Sequence, residues 1–192
     1  MDELFPDRGT AIEGLLPKEF TYLLGLYLQT CAHIELLTSA LVVFLGGLRL
    51  ENENWFDAYC QVRKLTTKEL NKELKKSSEL AKEFGFSEDL YALSDWIERF
   101  VQNRHMAAHG AFFGTSQGFL RVDYVTNIGS RSNPKFRRQT SAVTRELVDE
   151  ALKDADRIYL IVLGMIGLIR KDLPISVHHA ILPIVKNPNE QA

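Results

Sequence analysis

The sequence predicts an all-α fold, an up-and-down helical bundle with a small β-hairpin or meander inserted before its last long helix. Two observations predict the helices: apolar residues recur at three- and four-residue steps over most of the chain, and all but one of the segments so marked end at Gly or Pro. A third predicts the insertion, because over residues 111–143 that period gives way to alternation and a turn-rich stretch.

Residues 1–16 hold Pro6, Gly9 and Gly14 among scattered apolar residues and read as an N-terminal arm. From Pro17 the pattern changes. Phe20, Leu23, Leu24, Tyr27, Cys31, Ile34, Leu37, Leu41, Phe44 and Leu45 follow at helical steps until Gly46-Gly47 stops them, which describes a long helix buried over most of its circumference. His33 within it reads as a hydrogen-bonded core histidine. A second helix, from about Asn54 to Lys64, has Trp55, Phe56, Tyr59, Cys60 and Val62 on its buried side. Thr66 and Glu69 then make a capping box: the hydroxyl accepts from the third helical N–H while the carboxylate reaches back to the cap. The third helix runs to about Phe84, its lysines and glutamates interleaved as a solvated face with i,i+4 pairs.

Gly85 ends that helix, and Ser87-Glu88-Asp89 opens the fourth with a cap and two acids suited to its positive end. Leu90, Leu93, Trp96, Ile97, Phe100, Val101 and Met106 form its apolar stripe, and Gly110 terminates it, which puts His109 in the last turn. Next, Phe119 to Tyr124 alternates, Asn127 to Pro134 is rich in turn residues, and Lys135 to Thr140 returns as a strand. Thr144 caps a last long helix to about Lys171, closed by Pro174. Residues 174–192, with His178 and His179, read as a packed C-terminal extension.

Composition narrows the function. The 192 residues are 45% hydrophobic and 25% charged, with 12 glycines and 6 prolines, which suits one globular domain over residues 1–192 and excludes disorder. A net charge of -2 excludes a globally basic nucleic-acid coat. Cys31 and Cys60 stand in neither a disulfide framework nor a zinc spacing, so a reducing cytoplasm is expected. The N-terminus has no basic region followed by an apolar run, and Ile158 to Ile169 is well short of the roughly 20 residues that span a bilayer. No membrane partner is expected.

The sequence has no GxxxxGK[ST] loop, no GxGxxG after a strand, no GxSxG elbow and no HExxH, so classical nucleotide hydrolysis and zinc proteolysis fall away. The segment Asn103-Arg104-His105-Met106-Ala107-Ala108-His109-Gly110 remains. An Arg and a His in one cleft suit phosphodiester chemistry, since an imidazole moves protons near neutrality and a guanidinium stabilises charge on phosphate oxygens. On an ideal helix Arg104 and His109 lie roughly 140° apart. Their convergence requires the long Arg side chain, fraying at Gly110, or a two-fold dimer. His105 and His109 share a face and match a two-ligand metal spacing, but no third ligand stands at a recognisable distance, so neither metal nor cofactor is expected. The competing structural reading pairs Arg104 with an acid such as Glu98 and lets the histidines cap carbonyls at the helix C-terminus.

Arg104 through His109 resembles the R-x4-H signature of the HEPN superfamily, with His105 standing where Asn is commonest. Gly110 completes a form similar to its "RN…AHG" pattern. Gly25 and Glu35 look like the "G…E" first helix of bacterial members, and Leu65 to Leu70 resembles the segment that opens their third helix, so the likeness covers residues 20 to 172 loosely. The resemblance implies a helical bundle that dimerises. In many members it also implies a metal-independent endoribonuclease of toxin–antitoxin or phage-defence systems, with an antitoxin or other protein as partner; other members are non-catalytic modules that bind a nucleotide or a protein. On this chain, His109 would activate the ribose 2′-hydroxyl or protonate the leaving oxygen, and Arg104 would stabilise the phosphate. His105 would orient Arg104 or contact RNA. Glu35 would hold an imidazole or guanidinium, or else stand as a surface acid.

Residues 119–145 add a local charge. Arg121, Arg131, Lys135, Arg137, Arg138 and Arg145 oppose Asp123 alone, so the segment is +5 and the remainder -7. The first five are candidate RNA contacts, with Tyr124 or Phe136 to stack on a base. An ordinary polar loop, or a dock for an acidic partner, is the competing reading.

Overall fold

A computed structural model describes residues 14–115, 120–130 and 132–170. Helix α1 is Lys18–Leu45, α2 Trp55–Arg63, α3 Thr67–Lys76, α4 Ser87–His109 and α5 Arg145–Arg170. A 3-10 turn at Leu80–Phe84 and strands β1 (Ala111–Gly114), β2 (Leu120–Asn127) and β3 (Phe136–Val143) complete them. The described residues are 68% helical. Its strands form one antiparallel sheet of order β1-β2-β3, which corrects the expected all-α, up-and-down bundle to a mostly helical chain with a three-stranded sheet. The strand missing from the expectation is β1: four residues, Ala-Phe-Phe-Gly, are too few to show alternation, and only pairing with β2 makes them a strand.

The described residues divide into two compact units, 14–28 with 104–152, and 29–103 with 153–170. In the first, the inner sheet face covers a small core of Phe20, Val122 and Val143, against which Leu24, Met106, Phe112, Leu120, Tyr124 and Val148 pack. Phe20 and Phe112 meet with ring centres 5.1 Å apart. The Thr144 hydroxyl accepts from the Leu147 N–H at 3.2 Å, so it caps α5 as the sequence indicates.

The second unit is held by contacts between its helices. Phe44 of α1 packs on Trp55, which stacks on Tyr59. His33 meets Tyr159 of α5 edge-on, and Arg157 lies over the Trp96 ring. Lys75 of α3 donates to Asp95 of α4 at 2.9 Å, and that carboxylate raises the Lys75 pKa above its usual value. The capping box at α3 is present, with Thr66 Oγ1 accepting from the Glu69 N–H and Glu69 accepting from the Thr66 N–H at 2.8 Å.

Three local expectations change. The third helix stops at Lys76 because the buried Ser77 and Ser78 make a turn, and the chain resumes as the 3-10 segment that ends at Gly85, in the left-handed region at φ 79°. Helix α2 has no fully buried residue, and its Phe56 is exposed. His33 is exposed rather than in the core. The N-terminal arm up to residue 13 and the extension with His178 and His179 lie outside the described residues.

Asn71 and Ser94 form a buried polar pair: Asn71 Nδ2 donates to the Ser94 carbonyl at 3.0 Å, and the Ser94 hydroxyl donates to Asn71 Oδ1 at 2.8 Å. Ser94→Ala leaves that amide oxygen buried without its donor, so it is expected to cost about 1–3 kcal/mol. Urea unfolding measures this, and an unchanged midpoint would show that the pair carries no stability.

Among the described residues one helix, α1, is long and apolar enough by length and composition to cross a membrane. Half of that window is buried inside the protein, and the core helix of a soluble protein passes the same test.

Candidate nucleic-acid site

Helix α4 holds its hydrogen bonding to the end, since the Gly110 N–H donates to the Met106 carbonyl at 2.8 Å. The helix therefore does not fray at Gly110. The angular separation of Arg104 and His109 on a regular helix stands, which leaves side-chain reach or a second copy as routes to convergence. His105 and His109 do meet, with ring centres 4.9 Å apart and planes tilted by 53°. His109 is exposed, and Arg104 and His105 are half-buried. Arg104 already holds an interaction within the chain.

Gly110 explains how this helix end stays in place. A Cβ there would lie 2.4 Å from Val122 Cγ2 and 2.5 Å from the Met106 carbonyl oxygen. The backbone thus passes against a fully buried residue of β2, and one residue later Ala111 pairs with Asp123. The motif and the sheet are parts of one compact unit.

Glu35 belongs to the other unit, where it is half-buried and its Oε1 accepts from the Thr67 hydroxyl at 3.1 Å. Glu98, the acid considered for Arg104, lies 3.7 Å from Lys75.

Sheet register sorts the basic residues. Antiparallel partners share a face, and alternate residues point to opposite faces. Arg121 pairs with Ala142, Asp123 with Thr140 and Val125 with Arg138, so Arg121 and Arg138 lie on the outer face with Phe113. Arg137 pairs with Thr126 on the alternate set, beside the core-facing positions Val122 and Tyr124. Lys135 precedes β3, its N–H donating to Asn127 Oδ1 at 3.0 Å. Arg131 lies outside the described residues. The five cations thus do not form one row.

On the outer face Asp123 is the hub that sequence reasoning missed. It accepts from Arg138 and, at 2.8 Å, from the Thr140 hydroxyl, with Arg121 Nε 3.6 Å away. Arg121 also lies over the Phe113 ring at 5.8 Å. Only register could have shown this convergence, because Asp123, Arg138 and Thr140 are far apart in sequence. Tyr124 packs against the inner core, whereas Phe136 is 71% exposed. Of the two aromatics considered for stacking, Phe136 is the accessible one.

The hydrogen bond from Arg138, then that from Thr140 and the charge of Arg121, hold the Asp123 pKa below its usual 3.8. A carboxylate lowered on folding contributes stability that is complete above its unfolded value and is lost as pH falls through the folded one. The stability gap between wild type and Asp123→Asn is expected to be constant above 3.8 and to close on further acidification. Thermal melts across that range check it, and a gap that persists in strong acid would refute the assignment.

A cavity of about 470 Å³ lies beside the first turn of α5, lined by Phe20, Leu23, Leu120, Val143 and Arg145 among others. Its Arg145 is paired with Glu19 at 3.1 Å. Among the described residues no group of three or more His, Cys, Asp or Glu side chains is placed to hold a metal ion. Compared with protein-family models, curated proteins and solved structures, the chain shows no match.

Proposed function

We propose that this chain is a metal-independent endoribonuclease of the HEPN type, acting as a cytoplasmic homodimer in a toxin or phage-defence setting. The observation that carries the reading is the placement of Arg104, His105 and His109 at an intact helix end, in the same compact unit as the sheet that bears Arg121, Arg137 and Arg138. Proton-carrying and anion-stabilising groups thus share a unit with arginines on both faces of the sheet.

In this reading His109 takes the proton of a ribose 2′-hydroxyl, the freed oxygen attacks the adjacent phosphorus, and the P–O5′ bond breaks. The departing 5′-oxygen receives a proton, either from a second imidazole or from water. Arg104 stabilises the negative charge on the phosphate oxygens in the transition state. A two-fold dimer would join the groups that one straight helix keeps apart, and an antitoxin is the matching protein partner. Incubation of the purified chain with mixed RNA in EDTA tests this. Fragments ending in a 2′,3′-cyclic phosphate are the expected result; intact RNA would overturn it.

The second reading is a non-catalytic module that binds RNA, a nucleotide or a protein. It is favoured by Arg104 being half-buried and already engaged within the chain.

A further inference from the structure

We infer that His105 and His109 form a two-imidazole site for a divalent transition-metal ion, and that filling it takes His109 out of proton transfer. The site itself stands on geometry; its inhibitory effect rests on the ribonuclease reading.

Residues four apart on a helix project from one face, and here the two rings lie 4.9 Å apart. A metal–nitrogen bond to imidazole is about 2.0–2.1 Å, so two imidazoles on one tetrahedral or square-planar ion have ring centres roughly 4.5–5.2 Å apart. The observed separation falls inside that window. His109 is exposed and His105 half-exposed, which gives an ion access from solvent. Among the described residues neither side chain has a hydrogen-bond or ion-pair partner to give up. The helix end is also pinned, because Gly110 sits against Val122, so little chain ordering accompanies binding.

The ligand set selects the ion. Imidazole nitrogen suits zinc, nickel and copper, whereas magnesium and calcium require oxygen donors. With no third protein ligand among the described residues, water fills the remaining positions and binding is reversible. Each imidazole binds through a neutral nitrogen lone pair, and the lone pair on His109 is then no longer free to accept the 2′-hydroxyl proton. The proposed cleavage needs no metal, so this ion is an inhibitor and not a cofactor.

The test is calorimetric titration of nickel chloride into the full chain, into His105→Ala and His109→Ala, and into His178→Ala/His179→Ala as the control for the C-terminal histidines. One ion per chain is expected, with affinity about tenfold or more weaker in either single variant, because the second ligand no longer acts within one scaffold, and unchanged in the control. Equal affinity in a single variant, or a loss confined to the control, would overturn the site. RNA cleavage is then followed with and without nickel and after EDTA. Suppression that EDTA reverses supports the inhibitory half, and an unchanged rate with the site filled overturns it. If the chain binds nickel through both histidines yet never cleaves RNA, the metal site stands and the ribonuclease reading fails.

Discussion

RNA cleavage in EDTA is expected to fall by about 10²–10⁴-fold in His109→Ala, the range that a positioned general acid or base contributes. Arg104→Ala is expected to lose about 10²–10³-fold, as removal of one preorganised donor to a developing anion does. Arg104→Lys should recover only part of this, since it keeps the charge but not the planar fork that meets two phosphate oxygens at once. His109 is exposed, so its truncation leaves the core intact. Arg104 is half-buried and engaged within the chain, so its variants need melting curves beside their rates. A loss of rate with an unshifted melt assigns Arg104 to the chemistry; a loss that tracks the melt assigns it to the fold. Equal cleavage by wild type and all three variants would end the catalytic assignment.

The parts of this structure that sequence made visible are those in which the signal is local. The capping box of Thr66 and Glu69 spans a single turn, and its two hydrogen bonds form where the spacing puts them. The same holds for Thr144 at the start of α5 and for the apolar run Ile158, Ile161, Val162, Met165 and Ile169, all of them buried. The end of α4 at His109 was also readable, because Gly110 follows a long amphipathic stretch.

What sequence could not show depends on contacts between distant residues. Ser77 and Ser78 break a helical pattern that charge spacing alone continues, because both are buried. The +5 segment suggested one cationic surface, yet strand register divides it: Arg121 and Arg138 converge on Asp123 while Arg137 takes the other parity. A charge count cannot see parity, because it is a property of strand pairing. Glu35 looked like a partner for a catalytic group, and its hydroxyl contact is with Thr67 of α3.

Gly110→Ala is expected to destabilise the protein by about 1–3 kcal/mol, the usual range for forcing atoms into a filled site. Two contacts produce the effect, and they differ in kind. The 2.4 Å approach to Val122 Cγ2 is to a side chain that is completely buried, so it has no open space into which to turn. The 2.5 Å approach is to the Met106 carbonyl oxygen, the acceptor for the Gly110 N–H. Moving that oxygen away breaks the bond that finishes α4. Trimming the side chain relieves only the first contact, so Gly110→Ala/Val122→Ala is expected to melt no higher than Gly110→Ala. A melting temperature equal to wild type in the single variant would refute the steric argument. The same residue links the fold to the proposed chemistry, because it joins His109 to the strand residue that pairs with Asp123. At a temperature where the variant is still folded, its RNA cleavage is expected to fall further than its folded fraction does, since a displaced helix end carries His109 with it. Cleavage that tracks the folded fraction would separate the two, leaving Gly110 a packing residue with no part in placing the imidazole.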